Sequence, residues 1–199
     1  MMRHLTRLLM PMFFAVGVAA AQPGHPTGPE EQLRVSLEAV IQALQDKTLS
    51  AAQRRQRIAG IIRERFDFQA MSRRALSTNW KKASPEERKA FVEKFSRLIL
   101  ASYMGRIEAY TDERVEFRGV RFKGDKAEVA TVIVTDTREI PIRYRLRRKG
   151  EQWLVYDVVI EEVSLVRNYR SSYRNIVKKE GIGGLLARMD EKLGTLEGG

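Results

Sequence analysis

The 199-residue chain carries 36 Lys and Arg against 25 Asp and Glu, no cysteine, and two histidines, His4 and His25. Both histidines fall in a stretch that reads as export signal and leader, so the folded body is expected to hold neither imidazole nor thiol. That excludes Ser-His-Asp and Cys-His catalysis, Cys/His zinc sites and disulfides, and the length suggests one domain with a sizeable core.

Met1 to Ala21 has the tripartite secretory pattern: basic Arg3 and Arg7, an apolar run from Leu8 to Val18, and Ala19-Ala20-Ala21 in the form of a cleavage site. The competing reading, a membrane anchor, needs about 20 apolar residues; this run is shorter and contains Pro11. Cleavage over residues 1–21 is therefore expected, and it removes two arginines, leaving 34 cationic side chains against 25 anionic, an excess of +9. A basic exported protein seeks anionic lipid headgroups or an acidic protein surface; export argues against nucleic acid.

Residues 22–29, with three prolines and two glycines, read as a disordered leader. Leu33, Leu37, Val40, Ile41 and Leu44 then recur at helical spacing from about Glu30 to Asp46. Ser50 and Gln53 form a capping box ahead of a helix carrying Ile58, Ile61 and Ile62 on one face, and a shorter helix covers Phe68 to Leu76. Ser84-Pro85-Glu86-Glu87 is a strong helix start, with Ser84 as cap and Pro85 in the first turn. The helix that follows carries Phe91, Phe95, Leu98, Ile99, Tyr103 and Ile107 in a stripe wide enough to bury on two sides.

From Glu113 to Glu161 the period changes to two residues, with Gly124 and Gly150 at turns. Four antiparallel strands are expected: Arg114 to Phe122, Lys126 to Thr135, Glu139 to Arg148 and Gln152 to Glu161. The third alternates cleanly, Ile140, Ile142, Tyr144 and Leu146 on one face and Pro141, Arg143, Arg145 and Arg147 on the other. Pro141 cannot donate to a ladder, which places that strand locally at an edge or at a bulge. In the fourth strand Trp153, Val155 and Val159 compete with Leu154, Tyr156, Val158 and Ile160 for the inner face. Leu165 to Leu193 is helical again, broken at Gly181, with residues 194–199 a flexible end. The fold class is α+β, one antiparallel sheet covered by helices, in a single domain over residues 30–193.

Three blocks carry a resemblance. They are Phe66-Asp67-Phe68, the run from Trp80 to Arg88 leading into Phe91 and Phe95, and the run from Trp153 to Glu161 followed by Val163-Ser164, Asn168-Tyr169-Arg170 and Gly181 to Leu185. In order and spacing the chain resembles the MlaC, or toluene-tolerance, family of periplasmic phospholipid-transport proteins, which has hopanoid-transport relatives. The resemblance implies an NTF2-like, strongly curved sheet of about four strands, with helices enclosing an apolar cavity for acyl chains. It implies a periplasmic, monomeric carrier without cofactor or metal, serving outer-membrane asymmetry. Its partners would be a phospholipid or hopanoid cargo, the MCE-domain protein of an inner-membrane ABC transporter and an outer-membrane lipoprotein complex. Ser77 and Glu162 depart from the pattern, since glycine is common at both positions, and so does Gly183, where aspartate is frequent; local turn geometry is what these departures affect.

Enclosing two acyl chains, roughly 30 methylenes at about 0.8 kcal/mol each, stabilises the bound lipid by on the order of 20 kcal/mol relative to water. Release into water is then too slow, and transfer needs a docked partner. The expected lining is Phe95, Ile99, Tyr103 and Ile107 on the long helix facing Ile140, Ile142, Tyr144 and Leu146 on the third strand, although such faces are also how an ordinary core is packed. Arg143, Arg145 and Arg147, with Arg148 and Lys149, form the densest basic patch, read as a contact for a partner or headgroup or as a solvated face. No catalytic residue is expected. The rival class is an NTF2-like enzyme using Tyr103, Tyr144, Tyr156 and Asp157 as acid and base, but Tyr156 and Asp157 point to opposite faces of a regular strand and could share a cavity only across a bulge.

Overall fold

A computed structural model describes residues 28–110 and 113–198. The expected signal and most of the leader lie outside the described residues. The elements are helices α1 (Pro29–Gln45), α2 (Ala51–Arg65) and α3 (Phe68–Leu76), a 3-10 turn (Ser77–Lys81), helix α4 (Pro85–Glu108), strands β1 (Arg114–Lys123), β2 (Lys126–Val134), β3 (Glu139–Lys149), β4 (Gln152–Ile160) and β5 (Val163–Ser164), and helix α5 (Leu165–Glu197). This is the expected α+β order, with one curved antiparallel sheet of five strands in the sequence β1-β2-β3-β4-β5.

The local signals act as their chemistry requires. Ser50 and Gln53 close a capping box on α2, and Ser84 and Glu87 close one on α4, each satisfying backbone N–H groups that a helix start leaves free. Gly124 and Gly150 turn the β1-β2 and β3-β4 hairpins at φ 58° and 62°, where a Cβ is strained. α5 is interrupted at Gly181, φ 72° and ψ −175°, which redirects its second half onto α4. That half runs on to Glu197, ion-paired with Arg97, where a flexible end from residue 194 is expected.

β3 lies between β2 and β4, but at Pro141 it is locally at an edge as expected, because the β4 ladder stops at the pair Ile142 and Ile160. The carbonyl of Pro141 accepts from the Glu161 amide at 3.0 Å, just past the end of β4. The missing donor thus faces the end of its neighbour, where the ladder stops anyway. The turn there, Glu161-Glu162 at φ 45° and 67°, has the type I′ geometry that selects glycine or asparagine. Ser77, which ends α3, sits at φ 52° and ψ −123°. Both positions at which the family pattern favours glycine are therefore left-handed in this chain. Ser77→Gly is expected to raise stability by about 1 kcal/mol, the strain a Cβ carries there; an unchanged urea midpoint would contradict it.

The apolar residues form three clusters. α3, α4 and both halves of α5 enclose Phe68, Met71, Phe91, Phe95, Leu165, Tyr173 and Leu185. One face of the sheet packs against α1 through Leu33, Val129, Ile142, Leu146 and Val155. The smallest cluster joins Ala43, Ile58 and Met104. Phe66 packs against the first two and Ile62 against the first and third.

Candidate functional site

The sheet's apolar face is set by two bulges. Arg145 pairs with Asp157 and Leu146 with Val155, so Tyr156 is an extra residue in β4; Phe117 pairs with Thr131 and Gly119 with Ala130, so Arg118 is one in β1. An extra residue inverts the alternation beyond it. Trp153 and Val155 before Tyr156, and Val158 and Ile160 after it, therefore share the face that packs on α1. The two sets that compete in the sequence each supply half of the inner surface.

The eight expected lining residues fall in adjoining clusters. Phe95 and Ile99 are buried among α3, α4 and α5, with Tyr103 packed at that cluster's margin and Ile107 at the margin of the smallest cluster. Ile142 and Leu146 are buried on the sheet, with Ile140 and Tyr144 partly exposed beside them. Each set is thus close-packed at one end and open at the other. α1 links the two surfaces, its first half (Leu33, Leu37) on the sheet and its second (Val40, Ala43, Leu44) beside Met104 and Ile107.

Of the basic patch predicted on β3, Arg143, Arg145 and Arg147 are ion-paired, whereas Arg148 donates to the Gly150 carbonyl at 3.0 Å. Arg143 grips Glu162 at 2.6 and 2.8 Å; Arg145 spans Glu128 at 3.0 Å and Asp157 at 3.1 Å; Arg147 donates two hydrogen bonds to Asp67 Oδ2 at 2.8 and 3.2 Å. Asp67 also caps α3 by accepting from the Ala70 amide at 2.8 Å. Asp157, 5% exposed, accepts from Ser164 Oγ at 2.8 Å and from the Val166 amide at 3.1 Å. Its carboxylate thereby joins β3 to the start of α5, the structural role of a buried, fully hydrogen-bonded charge.

The groups of the acid-base alternative are dispersed. The bulge brings Tyr156 and Asp157 to one small pocket with Arg74, Arg167 and Arg170, but Tyr156 lies under the Arg74 guanidinium at 4.1 Å and the oxygens of Asp157 are occupied. Tyr103 is on α4 beneath Arg106, and Tyr144 is on the opposite face of the sheet from Asp157. Burial pushes the Tyr144 hydroxyl up to about 12 and raises that of Tyr173 as well, so both stay protonated at neutral pH. A raised folded value makes stability constant below the unfolded tyrosine value of about 10 and lowers it as pH climbs from there. Tyrosinate absorbance is accordingly expected to show Tyr144 and Tyr173 silent near pH 10 in the folded protein; their titration there would contradict the burial of these two hydroxyls, which holds for Tyr144 although its ring edge stays partly exposed.

A larger feature has no counterpart among the sequence expectations. Between α3 with its 3-10 turn and α5 lies an open cleft of about 860 Å³, floored by Ala75, Leu76, Tyr173 and Val177 and edged by Lys82, Arg170, Arg174 and Lys178. The signal was present: Arg167, Arg170, Arg174 and Lys178 recur at helical spacing on one face of α5. The denser run of arginines in β3 draws the eye instead. Among the described residues no group of three or more His, Cys, Asp or Glu could hold a metal ion.

A curved sheet with one apolar face packed on α1, and a helical layer with its own apolar cluster joined to it through Phe66, define an α+β binding scaffold. Residues 34–191 match the model of the MlaC protein family, and the chain belongs to that family. It is 25% identical over 124 residues to the intermembrane phospholipid transport system binding protein MlaC of Haemophilus influenzae, covering 59% of this chain and 58% of that protein. Toluene tolerance protein ttg2D of Pseudomonas putida is 21% identical over 103 residues, 51% of this chain and 48% of that one. The chain thus spans about half to three-fifths of these relatives. A phospholipid-binding protein from Ralstonia solanacearum, solved with a phospholipid, shares the fold at a TM-score of 0.76 and 22% identity, over 83% of this chain and 97% of that one.

Proposed function

We propose that this protein is a periplasmic carrier that encloses phospholipid acyl chains and exchanges them between an inner-membrane ABC transporter with an MCE-domain protein and an outer-membrane lipoprotein complex. The observation that carries the reading is the graded cover of its apolar surfaces. Tyr103 and Ile107 on α4, and Ile140 and Tyr144 on β3, remain partly exposed beside close-packed Phe95, Ile99, Ile142 and Leu146. Apolar surface left open at the margin of a core is where a chain of methylenes gains most by entering. Family membership and the fold shared with a phospholipid complex support the same reading. For Arg143, Arg145 and Arg147 we propose the structural part, holding β3 to α3 and α5, in place of a headgroup contact.

The test is mass spectrometry of protein secreted with its own leader and purified without detergent, both intact under native conditions and after solvent extraction. One phospholipid per protein is expected. A hopanoid mass would change the cargo, and folded protein without lipid would overturn the carrier reading.

A further inference from the structure

The positive charge of this molecule is unevenly compensated. The β3 arginines Arg143, Arg145 and Arg147 all face carboxylates. Arg74, Lys82, Arg167, Arg170, Arg174 and Lys178 have no ion-pair partner among the described residues, and all six edge two pockets that meet at Arg170. The smaller, about 200 Å³, holds Arg74, Arg167 and Arg170 together with Arg145 and Asp157; that single carboxylate is already engaged by Arg145, Ser164 and the Val166 amide. The larger has an apolar floor. In that floor Tyr173 is 7% exposed, and its hydroxyl has no hydrogen-bond partner. A buried polar atom left unmatched costs stability unless a ligand or water supplies its partner. Uncompensated cations above apolar side chains match an amphiphile whose head is an anion.

We infer that this double cleft seats the phosphate of a lipid with a net negative head, cations on the phosphate and the apolar floor beneath the adjoining carbons, so that the protein selects anionic over zwitterionic phospholipid. The inference rests on the carrier reading and adds the class of head. A zwitterionic head brings its own ammonium, which repels the same cations; a glycerol head does not. Arg170 and Arg174 are exposed, so removing their charge leaves the core intact.

The experiment offers lipid-stripped protein equimolar phosphatidylglycerol and phosphatidylethanolamine in the same vesicles, then re-isolates the protein and measures the two lipids by mass spectrometry. Three proteins are compared: wild type, Arg170→Gln with Arg174→Gln, and a charge-matched control, Arg121→Gln with Lys123→Gln, exposed on β1. Phosphatidylglycerol should be enriched about fivefold in wild type and in the control, as expected for two modest charge contacts. The enrichment should fall to near unity in the α5 variant at unchanged total lipid. Equal enrichment in wild type and the α5 variant, equal loss in both variants, or no enrichment in wild type would each overturn the inference alone. Wild type that takes up neither lipid would overturn the carrier reading, and this inference with it.

Discussion

Asp157→Ala is expected to lower stability by about 3–5 kcal/mol, the cost of removing one partner from a buried charge pair, and to lower the Tm by roughly 10 °C for a domain of this size. The single carboxylate accepts from Ser164, the Val166 amide and Arg145. Alanine leaves the start of α5 without its acceptor and Arg145 with Glu128 alone. A side-chain amide in the same place would keep an acceptor for the Val166 N–H, so Asp157→Asn should lose less than Asp157→Ala. Urea unfolding followed by circular dichroism measures both. A loss below about 1 kcal/mol in the alanine variant, the scale of an exposed pair, would mean that the Asp157 carboxylate does not hold β3 and β4 to the start of α5.

The second large effect is on cargo. Ile140→Asp is expected to leave the fold intact and to reduce bound phospholipid about tenfold or more, because an ionised carboxylate against acyl chains must be desolvated or must exclude them. Ile142, two residues along the same face, is 8% exposed and belongs to the packed sheet cluster; Ile142→Asp should unfold the protein instead. Ile140 is partly exposed, which makes it the discriminating position. A folded Ile140→Asp protein with full lipid occupancy would remove the open end of β3 from the lining.

Much of the scaffold is legible because its signals are local. Ser84-Pro85-Glu86-Glu87 specifies a helix start from four residues, and α3 begins and ends where Phe68 and Leu76 predict. The β3 alternation needs no partner to be read. What is not legible depends on pairing across distance. Asp67 meets Arg147 across 80 residues, and nothing in the arginine run says that its charges are met from α3, β2 and the turn after β4. The two-residue strand β5 is too short to show a period. Gly119, at φ 120°, offered a hint of the β1 bulge, since glycine inside a strand often marks one; Tyr156 offered none. The candidate lining was half readable. The sequence identifies the apolar faces of α4 and β3, while the role of α1 in joining them, and the cationic ridge of α5, come from packing.

Tyr156 changes β4 by being present, whatever its side chain. Removing that one peptide unit would rotate one flank of the strand by half a turn, sending either Trp153 and Val155 or Val158 and Ile160 into the polar layer, with Leu154 or Asp157, respectively, exchanged in the opposite sense. A scan of substitutions would not detect this determinant, because it is a count and not a composition. Engineering or evolutionary drift can therefore rewrite position 156 within what Arg74 tolerates, whereas insertion or deletion between Val155 and Asp157 exchanges inside for outside in a single step.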